Sequence, residues 1–143
     1  MGPAGPPGGA VTVAPLHPAF SDFPTGTGFQ YAFIGAPATV TVTDGQQLAG
    51  SAGAHFRMFI DTGEGDAVLL IDLCYRSTGE STMSTFTPAF VRRFAGSLGL
   101  NERLDVAATV TPGAGTFEVG LCARSLHDFT ATDGPVGWVM VSG

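Results

Sequence analysis

The sequence predicts an all-β fold: an antiparallel, jelly-roll-type β-sandwich of about eight to ten short strands, with little or no helix. Apolar and polar residues alternate with a period of two in several segments, as in half-buried strands. The 143 residues include 21 Gly and 10 Pro, which interrupt helices and favour turns. No helical pattern recurs between the segments, which argues against a parallel βαβ architecture. A double-sheet jelly roll suits the strand count and the long loops.

The alternating segments begin near residue 29. Phe29, Tyr31 and Phe33 share one face of the first, and residues 39–43 form the second, which ends at the turn signal Asp44-Gly45. A third segment ends in an apolar strand over 56–60, and residues 85–98 fit either a strand or a short helical turn. Three longer segments each predict one apolar face, formed by Ala67, Leu69, Ile71, Leu73 and Tyr75; by Leu104, Val106, Ala108 and Val110; and by Phe117, Val119, Leu121 and Ala123.

Composition excludes several classes of partner. The net charge is -6, and all six basic residues are Arg. Without a basic run, binding to nucleic acid or to an anionic membrane surface is not expected. No apolar run is long enough to cross a bilayer, so we expect no membrane insertion. Only 13% of residues are charged, which predicts a surface built for self-association or for another partner.

The N-terminus carries two Gly-X-Y triplets, Gly2-Pro3-Ala4 and Gly5-Pro6-Pro7. Only Gly fits at the axis of a collagen triple helix, and Pro at X and Y favours its polyproline conformation. Two triplets cannot hold a triple helix, so they are either a flexible linker or the end of a longer collagen-like tract. We divide the chain into a collagen-like stub over 1–9, an extended Pro/Gly-rich lead-in over 10–28 and a globular β-sandwich head over 29–143.

Two segments share the pattern apolar-x-Leu-Cys-x-Arg-Ser, and each contains one of the two cysteines, Cys74 and Cys122. If the two strands are neighbours, the thiols can meet across the sheet and form a disulfide. The alternative is two unpaired, half-buried thiols. An even cysteine count favours an oxidising compartment. We therefore expect an extracellular or cell-surface protein, exported by a signal that lies upstream of these residues.

The best candidate for a ligand or ion loop is the segment 61–66, which contains Asp61, Glu64 and Asp66. Three carboxylates and two Gly can form a small oxygen cage for Ca²⁺, although the spacing differs from that of an EF-hand. The alternative is a polar hairpin turn. Ca²⁺ is the one cofactor the sequence suggests, and only weakly; no other metal is assigned.

No catalytic constellation is predicted. The GxSxG, P-loop and HExxH patterns are missing from the sequence, and the three His residues are scattered. Ser125, His127 and Asp128 are too close in sequence for a hydrolase triad. A hydrolase that uses Asp61, Glu64 or Asp66 lacks an identifiable acid–base pair, so we expect no enzyme activity.

Trp138 is the single tryptophan and lies in a β-prone terminal segment. Burial in the core or in a subunit interface is the favoured interpretation, and stacking on a carbohydrate is the alternative.

The chain resembles the C-terminal head of a bacterial or phage collagen-like protein, with a C1q/TNF-like jelly roll. The resemblance is carried by the triplets over 2–7 and by the β-rich body. Within that body, residues 112–120 (PGAGTFEVG) are similar to the "P-x-x-G-x-[YF]-x-[VF]" strand entry of such heads, and residues 137–141 (GWVMV) to their hydrophobic last strand.

This resemblance implies a non-catalytic homotrimer that registers a collagen-like stalk and mediates surface adhesion or assembly. A surface glycan or protein is a further expected partner. The alternatives are a lectin-like β-sandwich that binds a carbohydrate or small ligand, and a phage or viral fibre tip.

Overall fold

The alternating segments form strands in the computed structural model, which describes residues 12–16, 30–58, 67–87, 92–96, 101–125, 129–131 and 136–143. These residues contain eleven strands and no helix, which confirms the all-β prediction. The strands are β1 (Thr12–Leu16), β2 (Ala32–Phe33), β3 (Ala38–Val42), β4 (Gln47–Met58), β5 (Ala67–Ser77), β6 (Ser84–Thr85), β7 (Arg92–Gly96), β8 (Asn101–Val110), β9 (Gly115–Ser125), β10 (Phe129–Ala131) and β11 (Val136–Ser142).

The strands form two antiparallel sheets. The first has the order β1-β11-β4-β8, with β10 beside the far end of β4. In the second, β2 and β3 flank one side of β9, β5 flanks the other, and β6 and β7 border β5. The chain changes sheet six times, between β1 and β2, β3 and β4, β4 and β5, β7 and β8, β8 and β9, and β9 and β10. This path is that of a jelly roll, as predicted.

The core lies between the two sheets, and the predicted apolar faces of β5, β8 and β9 all contribute to it. Leu73 of β5 and Leu121 of β9 lie opposite each other at its centre and are almost fully buried. Gly50 of β4 faces them from the first sheet, where a Cβ atom would lie 2.9 Å from Leu73 Cδ1. The missing side chain of Gly50 therefore lets the sheets approach closely at this point.

The turn that follows β3 forms at the residues where the sequence predicts it. Gly45 has a φ of 82°, a left-handed conformation that favours Gly. The Gln46 amide donates to the Thr43 carbonyl over 3.1 Å, and the Gln46 side chain accepts a hydrogen bond from the Thr43 amide over 2.8 Å. The predicted Asp44-Gly45 turn is confirmed.

The described parts of the ambiguous stretch 85–98 contain strand and a bend but no helix. Residues 92–96 form β7 along β5. Phe86 is buried, and its amide donates to the Leu73 carbonyl over 2.8 Å. Tyr75 contacts Phe86 and Phe117 edge-to-face, with ring centroids 5.9 Å and 5.7 Å apart, which closes one end of the core.

Candidate functional site

The outer face of the second sheet is crossed by a disulfide bond between Cys74 and Cys122, with an S–S distance of 1.99 Å. In the β5–β9 ladder Cys74 pairs with Gly120 and Cys122 with Asp72, so the cysteines are diagonal neighbours with Cα atoms 5.7 Å apart. Both are fully buried. The predicted disulfide is confirmed, and the alternative of two free thiols is wrong.

The repeated pattern in the sequence becomes a local two-fold arrangement. Because β5 and β9 are antiparallel and Leu73 lies opposite Leu121, equivalent positions of the two repeats lie symmetrically about that pair. The two arginines of the repeats, Arg76 and Arg124, therefore lie at opposite ends of the strand pair. Both are on the same face as the disulfide.

Each arginine packs over an aromatic ring from the segment around β2. Arg76 Cζ lies 5.0 Å from the ring centre of Phe33, and Arg124 Cζ lies 4.9 Å from that of Tyr31. Tyr31 and Phe33 thus share one face, as the alternation predicts, but that face contacts arginines and not the core between the sheets. Phe29 lies outside the described residues.

The two arginines differ in their acidic neighbours. Arg76 forms an ion pair with Glu118, its cross-strand partner, with Nη2 2.8 Å from Oε2. Arg124 pairs in register with Leu70, an apolar residue. The same repeat position therefore forms an ion pair with a cross-strand glutamate at one end of the face, while at the other end Arg124 borders an open pocket.

Asp72 lies between these ends and has no exposed surface. Its Oδ1 accepts a hydrogen bond from the Leu73 amide over 2.7 Å, and its Oδ2 accepts one from the Thr87 hydroxyl over 2.5 Å. Burial raises the pKa of Asp72 above its ordinary value, and the Thr87 and Leu73 hydrogen bonds oppose that rise. The adjacent Sγ of Cys122 contacts the Asp72 carbonyl oxygen at 3.2 Å; a disulfide sulfur has no proton to donate.

This raised pKa predicts a pH dependence of stability. The folded state holds the Asp72 proton more tightly than the unfolded chain does, so protonated Asp72 stabilises the fold. This contribution to the free energy of unfolding is fully present below about pH 4 and is lost as the pH rises through the folded-state pKa. Asp72→Asn should remove this dependence, because an amide does not titrate. Its Oδ1 can still accept from the Leu73 amide and its Nδ2 can donate to the Thr87 hydroxyl, although the 3.4 Å hydrogen bond from the Thr87 amide is lost.

Urea unfolding of wild type and Asp72→Asn over a series of pH values checks the prediction. The variant should gain stability relative to wild type as the pH rises from about 4. Asp105→Asn, at an exposed position of β8, is the matched control. A wild-type-to-variant difference that stays constant with pH would contradict the expected titration.

A pocket of about 460 Å³ opens beside Arg124. It lies where the segment before β2, the loop between β5 and β6, and the end of β9 meet. Its lining is mostly polar and is formed by Gln30, Tyr31, Ser81, Thr82, Met83 and Arg124.

The outer face of the first sheet has a different character. In register, Trp138 of β11, Ser51 of β4 and Ala107 of β8 form one row, and Met140, Ala49 and Thr109 form the next. We call this surface the Trp138 face. Trp138 is 41% exposed and Val136 is 61% exposed. The core alternative for Trp138 is therefore wrong, and its role in an interface or in sugar stacking stays a prediction.

Beside Trp138 the face forms a shallow, largely apolar groove of about 440 Å³. Apart from Trp138, every lining residue of this groove has a small side chain or none. The groove is lined by Ala49, Gly50, Ser51, Ala107, Ala108, Thr109 and Trp138. At one end of the face, Arg103 forms an exposed ion pair with Asp105.

Most of the other sequence candidates lie outside the residues that the structure describes. Asp61, Glu64 and Asp66 lie outside the described residues, as do His17, His127 and Asp128, so the Ca²⁺ prediction stays a prediction. His55 lies in β4, beside Arg103 of β8. Within the described ranges, no three His, Cys, Asp or Glu side chains are grouped to hold a metal ion.

Sequence reasoning missed the pocket and the buried carboxyl. The repeat places an arginine two residues after each cysteine, and the alternation places Tyr31 and Phe33 together. Neither pattern shows which aromatic ring meets which arginine, or that the loop over 81–83 completes a cavity.

No helix long and apolar enough to cross a membrane occurs in the described part of the chain. A comparison with known protein families finds none that matches this chain, and a comparison with curated proteins finds no similar sequence. Function is therefore inferred from the geometry of the outer faces of the two sheets.

Proposed function

We propose that this domain is the non-catalytic head of an extracellular collagen-like filament, and that it trimerises to register the three chains of the stalk. The observation that carries the proposal is the Trp138 face: an exposed tryptophan beside a nearly uncharged groove of small side chains. Large exposed apolar residues on a flat surface are typical of protein interfaces.

The occupant proposed for this face is a second copy of the same chain. The two collagen-like triplets end at Pro7, and four residues, 8–11, separate them from the start of β1. β1 pairs with β11, and Pro15 lies opposite Trp138 in that ladder. A stalk of three chains would therefore enter three heads at the sheet that bears the Trp138 face.

The confirmed disulfide supports an extracellular location, since disulfides persist mainly in oxidising compartments. The low charge of the chain supports self-association, because few charges have to be desolvated in a contact between copies. Adhesion or assembly on a surface follows from the position of such a head at the end of a stalk.

Light scattering coupled to size-exclusion chromatography tests the proposal at micromolar protein concentration. Wild type should have three times the mass of one chain. Trp138→Ser and Ala107→Glu should shift the mass to that of the monomer, because the first removes the apolar anchor and the second buries a charge in the contact.

Thr41→Glu is the control, since Thr41 is exposed on β3 of the other sheet. This variant should remain trimeric, and circular dichroism should show that all three variants are folded. A monomeric wild type would overturn the proposed trimer. A trimer that survives both face variants would overturn the assignment of its interface to this face.

A further inference from the structure

The Trp138 face is divided into two halves that differ in side-chain size. The half on β11 carries the large residues Val136, Trp138 and Met140. The half on β4 and β8 carries small residues, which are Ala49, Ser51, Ala107 and Thr109. The groove of about 440 Å³ lies over this second half and borders Trp138. Each copy therefore presents a large aromatic side chain and, beside it on the same surface, a space lined by small residues.

The chemistry of the groove suits an indole ring. Its surface is largely apolar, none of its lining residues is charged, and Ser51 and Thr109 supply two hydroxyls. An indole has a large apolar surface and a single N–H, which needs an acceptor when it is buried. A charged ligand would find no opposite charge among the lining residues. The chain contains one tryptophan, and that residue lies at the border of this groove.

A three-fold ring brings unlike surfaces into contact. In a cyclic trimer every interface is heterologous, so one patch of each copy meets a different patch of the next copy. The large residues of β11 and the small residues of β4 and β8 form two unlike patches side by side on one face. A single rotation can therefore place three tryptophans in three grooves, with none left over.

The proposed stalk would bring the β11 half of each copy towards its neighbours. Residues 8–11 separate the collagen-like triplets from β1, and four residues span at most about 14 Å. The three chains of a collagen helix wind around one axis, so three β1 strands would begin close to that axis. Since β11 pairs with β1, Trp138 lies on the strand next to the one that leads from the stalk.

We propose that Trp138 of each copy inserts into the groove of the next copy around the three-fold axis, and that its indole N–H donates to the hydroxyl of Ser51 or Thr109. This contact rests on the proposed trimer and specifies which group fills each groove. Burial of the ring removes a large apolar surface from water, together with the small residues that line the groove. The fit depends on size, because a large side chain on β11 meets Ala107 and its small neighbours.

Compensating changes in side-chain size test this contact. Trp138→Leu leaves the groove partly empty, and Ala107→Leu partly fills it. Each variant should raise the midpoint concentration of trimer dissociation by at least about tenfold. In Trp138→Leu/Ala107→Leu a smaller side chain meets a smaller groove. The midpoint of this double variant should lie within about threefold of the wild-type value, whereas independent effects would multiply to about a hundredfold.

Sedimentation equilibrium of the full chain over a dilution series measures these midpoints. Thr41→Leu is the matched control, because it adds the same side chain at an exposed position of the other sheet. This change should not rescue Trp138→Leu, and circular dichroism should show that every variant is folded. In wild type, the fluorescence of the single tryptophan reports its own burial. Its emission should shift to shorter wavelengths as the trimer forms.

The outcomes separate this contact from the trimer itself. A monomeric or dimeric wild type would overturn the proposed trimer and the cyclic contact with it. A trimer in which the effects of Trp138→Leu and Ala107→Leu multiply would overturn the contact alone, as would equal rescue by Thr41→Leu. An emission that does not change when the trimer forms would also overturn the contact alone. That measurement needs no variant, so the test stays decisive if a leucine variant does not fold.

Discussion

Replacing both cysteines, in Cys74→Ala/Cys122→Ala, is expected to lower the free energy of unfolding by about 4 kcal/mol. The bond joins residues 48 apart in sequence, so it closes a loop that restricts the unfolded chain. Its loss therefore increases the conformational entropy of the unfolded state. Domains of this size have total stabilities of about 5–15 kcal/mol. The variant should therefore be marginally stable or unfolded at 37 °C.

Urea unfolding of wild type and the double variant, at one protein concentration, measures this difference. Because the cross-linked unfolded chain is more compact, the variant should also show a steeper dependence on urea, with a larger m-value. A stability loss below about 1 kcal/mol with an unchanged m-value would show that the disulfide does not act through the unfolded state.

Leu73→Ala is expected to cost about 2–5 kcal/mol, since it opens a cavity in the core beside Gly50. Gly50→Ala should cost about 1–3 kcal/mol, because its new methyl group would lie 2.9 Å from Leu73 Cδ1 and 3.2 Å from Val139 Cγ1. In the double variant the methyl group enters the space that Leu73 vacates. The combined loss should then be smaller than the sum of the two single losses by about 0.5–3 kcal/mol.

A double-mutant cycle by chemical denaturation measures this coupling. The control cycle combines Gly50→Ala with Leu104→Ala, a core residue of β8 that lies opposite Ala54, further along β4. The control losses should add to within about 0.5 kcal/mol. Additive losses for Gly50 and Leu73 would show that the sheets do not meet through this contact.

Local patterns were sufficient to predict much of the architecture. A strand half-buried in a sandwich must alternate, so the faces of β5, β8 and β9 could be read directly from the chain. Turns need particular backbone angles, so Asp44-Gly45 marked the end of β3. The repeated Leu-Cys-x-Arg-Ser pattern indicated that two cysteines sit at equivalent strand positions.

The exposure of Trp138 and the burial of Asp72 could not be predicted from such local patterns. Trp138 alternates with Val139, so the two side chains lie on opposite faces of the strand. The alternation does not show whether the face that carries Trp138 is covered by another part of the protein or by a second copy. Asp72 alternates with core residues of β5, so the period of the strand places it on the outer face of the sheet. It is buried because the segment around β2 and the Thr87 region cover that face, an arrangement made by residues distant in sequence.

The sequence by itself determined the fold class, the faces of the principal strands and the equivalent strand positions of the two cysteines, because each depends on the period of a strand or on a repeated pattern; that the cysteines pair was decided by the register of β5 and β9. The tertiary structure decided that Trp138 is exposed, that Asp72 is buried, and that Arg124 borders a pocket while Arg76 meets Glu118. These outcomes depend on which distant segments pack over each sheet face, and that information lies in the register and crossing of strands, not in any local pattern.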